Sequence, residues 1–458
     1  MKIRSIALCA VVALLATACG SRLSDSDLSA GAGSGGGGQG TPATTTPGTS
    51  GPDGPMFGTM AAPCGPAPEG GVVPVDGVQG VSADSIKIGV ISDKAGIVKV
   101  PTASVEESVK AFVNYCNELG GIAGRTLDLK TYDAQLTAAD VAATEACNDG
   151  LFSLVGTGVV QDDKMAQVLV DCDLLNVAGY TATGAASLSE LTYSALPNPF
   201  IRFNTAPSKW IASQHPDAVK KGGILSSNLP VANLQADRVV DATTKASGFD
   251  FVYDRSTEII QTTYSGEVAE MRDAGVEYMT MVSATSETAK LLKDMTNAGW
   301  RPEVIDLGQQ YYDTDLLEVP GAEGAYVQSN TVPFEEADAV PAMQQFLAEY
   351  DKIDADVAAT SLGVQAFSAG LLFATAATAA SNSDTGLTRE AMVEQIESIT
   401  EWDSGGLHFT TSPGTNESAP CFLYLKVENG AFVREFPEEP GTFECTTPDD
   451  MVDVDVNP

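Results

Sequence analysis

The chain has 458 residues, with 25 Lys and Arg against 61 Asp and Glu and a formal net charge of -36. Binding to nucleic-acid phosphates draws on clustered cations, which this composition lacks, so no nucleic-acid partner is expected. The acidic excess keeps a chain soluble and self-repelling without naming a ligand, because a few local residues set the sign of a pocket.

In chain order, the first element is a targeting signal. Lys2 and Arg4 precede an apolar run from Ile6 to Ala18, too short to anchor stably across a bilayer. Ala16, Thr17 and Ala18 before Cys19 resemble a bacterial lipoprotein signal, which implies removal of residues 1–18 and lipidation of Cys19 at the cell membrane. Ala16 stands where such signals usually carry leucine, and an ordinary cleaved secretory signal is the alternative. Residues 19–84 form a spacer, rich in Gly, Ser, Thr and Pro up to about Pro63 and short of apolar surface to offset chain entropy. As a flexible tether it reaches on the order of 45 Å.

Beyond the spacer, strand and helix signals alternate. Ser85-Ile-Lys-Ile-Gly-Val-Ile91 is a strand, and Val105 to Leu119 carries Val105, Val109, Phe112, Val113 and Cys116 at helical spacing, stopped by Gly120-Gly121. Strands at 126–132, 152–156 and 175–178 alternate with helices at 137–148 and 162–172. A second series follows Phe200-Ile-Arg-Phe203, with strands at 223–225, 249–252, 278–282 and 304–307 and helices such as Ala289 to Ala298 between them. Repeated βα units imply parallel sheets with helices on both faces, in two similar α/β lobes.

The C-terminal third changes character. Helices are expected at 342–350, 363–380 and 389–399; the second is small-residue and apolar, and is assigned to the core rather than to a membrane span. Strands follow at 407–410 and 421–427, and Asn429-Gly430 turns the latter into a hairpin with Phe432 and Val433. The last residues, Pro448 to Asp453, form a solvated acidic tail. Without Cys9 and Cys19, the remaining cysteines Cys64, Cys116, Cys147, Cys172, Cys421 and Cys445 are even in number, as in an exported disulfide-bonded protein. No spacing suits zinc, His215 and His408 are the only histidines, and no calcium loop is present, so neither metal nor cofactor is expected.

One set of motifs is specific. Ile86-Lys-Ile-Gly-Val-Ile followed by Asn117-Glu-Leu-Gly-Gly-Ile-Ala-Gly-Arg-Thr-Leu-Asp-Leu129 resembles the opening of the extracytoplasmic solute-binding proteins of the branched-chain amino acid and amide uptake family. Tyr132-Asp133, Leu154-Val-Gly156 and Phe200-Ile-Arg-Phe-Asn-Thr-Ala-Pro207 fall in that family's order. The resemblance implies a periplasmic binding protein type I fold: two Rossmann-like lobes with parallel sheets, joined by three hinge crossings. By analogy lobe one holds 85–205 and 335–409, lobe two holds 206–334 and 410–445, and residues 446–458 are the tail. The crossings then lie near Phe203 to Pro207, Ser329 to Phe334 and Phe409 to Pro420.

Ligands bind beyond the carboxyl ends of parallel strands, so strand ends nominate the contacts. In lobe one these are Ser92, Asp93 and Lys94, then Gln161 and Asp162, then Tyr180, Thr181 and Thr183. In lobe two they are Ser226, Ser227, Thr285, Glu287 and Gln310 with its neighbours Gln309, Tyr311 and Tyr312. A helix cap or a solvated loop is the bland alternative for each. Gln310 stands where amino acid binders of the family carry an acid for the ligand ammonium, and Ala284 or Thr285 where they carry tyrosine. A neutral amide cannot match an ammonium, so an α-amino acid ligand depends on Glu287.

In a sheet of strand order 2-1-3-4, the second and third helices lie side by side on one face, which pairs Cys147 with Cys172. Cys421 with Cys445 flanks the terminal hairpin; Cys64 with Cys116 is left by elimination, with free Cys116 the alternative. The reading is a monomeric, lipid-anchored, non-enzymatic solute-binding component of an ABC importer, closing its lobes on a small polar organic ligand such as an amino acid or amide and delivering it to membrane permease subunits. A ligand sensor for a surface signalling partner is the alternative. An exported hydrolase is weaker, since neither histidine lies beside a Gly-x-Ser-x-Gly elbow.

Overall fold

The computed structural model describes residues 50–51, 54–97, 100 and 102–455. Cys19 and the signal segment lie outside the described residues.

Residues 54–84, expected as spacer, are packed onto the body instead. β1 (Gly54–Phe57) pairs antiparallel with β2 (Met60–Ala61). Phe57 is 0% exposed and sits 5.7 Å from the Tyr115 ring and 5.4 Å from the Phe367 ring. The Gln345 side chain accepts from the Gly58 amide and donates to the Met56 carbonyl. A Cys64–Cys116 disulfide fastens the segment to the first long helix, so the pairing reached by elimination forms. One aromatic side chain and one covalent bond therefore order a stretch whose composition otherwise suits a tether.

The first lobe opens with β3 (Ser85–Ser92), α1 (Ala103–Glu118) and β4 (Thr126–Asp133), with β3 and β4 parallel from Ser85 opposite Thr126 to Ser92 opposite Asp133. The Asn117 motif makes this corner. Its side-chain amide donates to the Leu127 carbonyl, and its side-chain oxygen accepts from the Leu127 amide, clamping the end of α1 to the start of β4. Gly121 has φ +81°, and a Cβ there would stand 2.1 Å from the Arg125 carbonyl oxygen, so only glycine closes the turn. α2 (Ala139–Asn148), β5 (Ser153–Val155), α3 (Asp163–Asp171), β6 (Leu175–Ala178) and β7 (Thr192–Ser194) complete a parallel five-stranded sheet of order β4-β3-β5-β6-β7. The helices α2 and α3 end side by side and are bridged by Cys147–Cys172.

β8 (Arg202–Asn204) leads out of this lobe. α4 (Ala206–Gln214) follows, then β9 (Gly222–Ser227), α5 (Pro230–Ala246), β10 (Phe251–Thr257), α6 (Ser265–Ala274), β11 (Tyr278–Val282), α7 (Thr285–Asn297), β12 (Val304–Leu307) and β13 (Tyr326–Ser329). The chain then returns to lobe one for α8 (Pro341–Asp351), α9 (Ser361–Ser381) and α10 (Arg389–Glu397). Its last pass adds β14 (Cys421–Glu428), β15 (Ala431–Phe436) and β16 (Glu444–Cys445) antiparallel to the second sheet. That sheet has eight strands, ordered β10-β9-β11-β12-β13-β14-β15 with β16 also on β14, where Cys421–Cys445 forms. Asn429 and Gly430 both take positive φ, as the tight hairpin turn requires.

Two further expectations are corrected. No strand forms at 407–410; His408 makes a single bridge to Thr331, because this stretch runs between the lobes rather than along a sheet. The acidic tail is not simply solvated. β17 (Met451–Asp453) pairs antiparallel with β8, Lys209 pairs with Asp450, and the Thr205 amide donates to the Asp450 carbonyl at 2.8 Å. The tail thus straps the first crossing.

The core of lobe one is α9, the one helix among the described residues long and apolar enough to cross a membrane and 83% buried over its most apolar window. It lies against α1 so closely that a Cβ on Gly370 would stand 2.4 Å from the Phe112 ring. Gly370→Ala should destabilise by roughly 1–3 kcal/mol through overpacking, read from urea denaturation. Phe57→Ala should cost about 3–5 kcal/mol by the same measurement, whereas a change in a true tether would be silent.

Candidate functional site

A cavity of about 450 Å³ runs from between the lobes into lobe two. Lobe one supplies Tyr180, Thr181 and Ala182 after β6, and Leu362 and Gln365 at the start of α9. Lobe two supplies Ser227, Ser283 and Gln309 with Gln310 at the ends of β9, β11 and β12, and one face of α5. Phe203, Asn330 and Phe409 line it from the three crossings.

Side-chain hydrogen bonds join the lobes across this cavity. Gln235 Nε2 on α5 donates to the Ala182 carbonyl at 2.6 Å. Gln365 Nε2 donates to Gln309 Oε1 at 2.9 Å, and Ser361 Oγ donates to the Gln309 carbonyl at 3.2 Å. The arrangement is that of two closed jaws, and a volume of this size suits a drug-sized or smaller organic molecule.

Of the residues nominated from strand ends, Tyr180, Thr181, Ser227, Gln309 and Gln310 line the cavity. The others serve the loops. Asp93 accepts from the Leu136 and Val160 amides, and Ser92 is buried beside it in the chain. Lys94 pairs with Glu106 at 2.7 Å. Gln161 Nε2 donates to the Leu136 carbonyl, and Asp162 accepts from the Ala182 amide and the Thr183 hydroxyl. Burial pushes Asp162 up to about 7. Ser226 donates to Asn233, and Thr285 is buried at the start of α7. Glu287, 1% exposed, accepts from the Gln261 amide, the Tyr264 hydroxyl and Lys290, and does not line the cavity. Tyr311 anchors its hydroxyl among Ser283, Thr288 and Met281, and Tyr312 donates to Glu335. Most of these polar groups are consumed by backbone and side-chain partners around them, whereas Ser92 Oγ and Thr285 Oγ1 are buried without a hydrogen-bond partner among the described residues.

Two charged residues that sequence reasoning missed line the cavity. Asp306 lies within β12, and its Oδ2 accepts from Tyr278 Oη at 2.9 Å and Tyr424 Oη at 3.3 Å. Burial without a cation lifts its carboxyl to about 7. Arg238 lies mid-helix on α5 and is 2% exposed. The α5 signal was available: Val231, Ala232, Gln235, Arg238 and Val239 recur at helical spacing, with two polar residues inside an otherwise core-facing stripe.

His408 bonds Ser368 Oγ at 2.9 Å through Nε2 and the Phe409 carbonyl at 2.7 Å through Nδ1. Neither member lines the cavity, and desolvation holds the imidazole down at about 4. The pair is a core connection, and gives the hydrolase alternative no support.

A family model described as a periplasmic binding protein matches residues 85–431. Similar solved structures include a fatty acid ABC transporter substrate-binding protein from Thermomonospora curvata, with TM-score 0.67, 16% identity and coverage of 81% of this chain and 95% of that one. A leucine-binding protein from Thermotoga maritima gives TM-score 0.65 at 16% identity, covering 80% and 99%. A solute-binding protein from R. palustris in complex with 4-hydroxybenzoate gives TM-score 0.64 at 18%, covering 80% and 98%. At these identities the likeness is one of fold. Among curated proteins, none matches the sequence.

Asp306 carries a pH prediction. Its folded carboxyl, at about 7, holds a proton that the unfolded chain has already released above about 4, so its contribution to stability falls as pH rises from 4 to 7. Asp306→Asn stays neutral throughout and should gain stability relative to the parent by on the order of 3 kcal/mol across that range. Urea denaturation at pH 4.5 and 7.5 checks this; an equal offset at both values contradicts it.

Proposed function

The chain belongs to the periplasmic binding protein family, and on that premise we propose that it is the solute-binding component of an ABC importer, acting outside the cytoplasm. The single observation that carries the reading is a cavity of about 450 Å³ whose two walls, on separate lobes, are hydrogen-bonded to each other. Such a site exchanges solute by opening its lobes and retains solute by closing them. The lining supports a small organic solute with an apolar body and a polar head. Tyr180, Leu362, Phe409 and Val239 offer apolar surface, and side-chain amides such as Gln310 and Asn330 offer fixed polar contacts. The relatives of like fold named for fatty acids, leucine and 4-hydroxybenzoate bear solutes of this build.

Lipidation of Cys19 is part of the proposal. A receptor held near its permease by a lipid on Cys19 gains effective concentration. In cells, Cys19→Ala should move the protein from the membrane fraction to the soluble fraction with solute binding unchanged. Retention in the membrane fraction contradicts the anchor.

Solute binding itself is tested by thermal shift and calorimetry across amino acids, amides, aliphatic acids and aromatic acids. A ligand at a hundred times its dissociation constant should add about 2.7 kcal/mol to stability. Ser361 lies outside the cavity lining yet bonds across it. Ser361→Ala should therefore weaken whichever solute binds by roughly 3- to 10-fold, the worth of one hydrogen bond made only in the closed form. A Kd unchanged in that variant would place closure elsewhere.

A further inference from the structure

Arg238 is the feature of the cavity that the fold does not explain. Its guanidinium is buried with no carboxylate of the described residues within ion-pair reach. Nη1 donates to Gln235 Oε1 at 2.8 Å; Nη2 donates to the Arg202 carbonyl at 2.6 Å and reaches the Pro199 carbonyl at 3.5 Å. Nε is buried and has no hydrogen-bond partner. The Phe200 ring lies 4.5 Å and the Phe203 ring 5.7 Å from its central carbon, which offsets only part of the cost of burying the charge. Neutral carbonyls and an amide satisfy some donors and leave the positive charge unmatched.

The surroundings narrow what would match it. The cavity follows one face of α5 from Val231 through Arg238 to Thr243, a run of about 18 Å at the helical rise. Neither lysine nor histidine joins Arg238 in the lining among the described residues, so a single cation faces a long, largely apolar channel. A doubly charged phosphate would exceed that charge, and a neutral solute would leave it unmatched.

Building on the solute-binding reading above, we infer that Arg238 is an anion subsite, and that the solute is a monocarboxylate with an elongated apolar body, its carboxylate on Arg238 and its body along α5. Gln235 connects the subsite to closure. Its side-chain oxygen holds Arg238 while its amide reaches the Ala182 carbonyl of lobe one, so a carboxylate that orients Arg238 also favours the closed jaws.

The test pairs acids with amides of the same shape on the full-length protein: octanoate with octanamide, and 4-phenylbutyrate with 4-phenylbutyramide, by calorimetry. The parent should bind an acid about 10- to 100-fold more tightly than its amide, the worth of a charge-assisted pair in a dry site. Arg238→Gln should lose that preference, bringing the acid-to-amide ratio to within about 3-fold of one, and Arg238→Lys should restore part of it. Because Arg238 also braces the Arg202 carbonyl, circular dichroism and urea denaturation establish folding, and the acid-to-amide ratio of the parent decides the matter should Arg238→Gln not fold. Amides that bind the parent as well as the acids do, or a ratio unchanged in Arg238→Gln, overturn the subsite and leave solute binding standing. Absence of binding by every acid and amide overturns the subsite, and the broad solute panel then shows whether the solute-binding reading falls with it.

Discussion

The approach of α9 to α1 governs how the rest of the molecule is arranged. Where two helices touch through glycine, their backbones come closer than any other side chain permits, and here Gly363 meets the Ser104 and Ser108 side chains as Gly370 meets the Phe112 ring. That contact lets an almost wholly buried helix run through lobe one. Its consequence reaches the site. With the axis of α9 fixed, Ser361, Leu362 and Gln365 on its first turns are delivered to the face opposite lobe two, where two of them line the cavity and two bond Gln309. Rigid packing behind the jaw is what makes its hydrogen bonds selective for one closed geometry.

Both ends of the described chain reinforce the same design. The segment before β3 is held to α1 by Cys64–Cys116 and to α9 by Phe57, so it stiffens the back of lobe one. The tail after β16 pairs with the first crossing through β17, and Arg202 Nη2 donates to the Met451 carbonyl. A crossing strand with a partner resists lateral bending more than a lone one, while rotation about its ends is left free. Arg238 enters this region too, since the Arg202 carbonyl it holds belongs to the same strand. Charge in the cavity and geometry at the hinge therefore share one side chain.

Much of this architecture was legible in the residues. Alternating periodicity located the sheets, and Asn117 with Gly121 and Asn429 with Gly430 announced corners whose backbone demands so few side chains that the motif nearly determines the turn. Local composition misled where one long-range contact overrode it: Phe57 is a single aromatic in a Gly- and Pro-rich stretch, and nothing nearby says that it has a pocket to fill. The site was harder for a different reason. Strand ends do surround the cavity, but hydroxyls and carboxylates there have backbone groups within reach, and Asp162, Glu287 and Tyr311 are spent on them. Asp306 and Arg238 lie inside a strand and a helix, where a charged residue signals function only once its burial is known.

The acidic composition and a carboxylate solute are compatible on physical grounds. At physiological ionic strength charges separated by more than about 8 Å in solvent are screened, so most of the surface carboxylates act weakly on a group inside the cleft. Inside, the screening is lost and the nearest charge dominates. Gln310 matters here as much as Arg238: an acid at that position would have faced the cavity with a second negative charge, and the amide removes it. Asp306 completes the same logic: its two tyrosine donors favour the anion, but burial outweighs them and lifts the carboxyl to about 7, so it is not firmly anionic near physiological pH. With Arg238 the single cation in its lining among the described residues, the cavity carries a local positive charge within a strongly negative protein, and under the proposed reading that local inversion, rather than net charge, would select the solute.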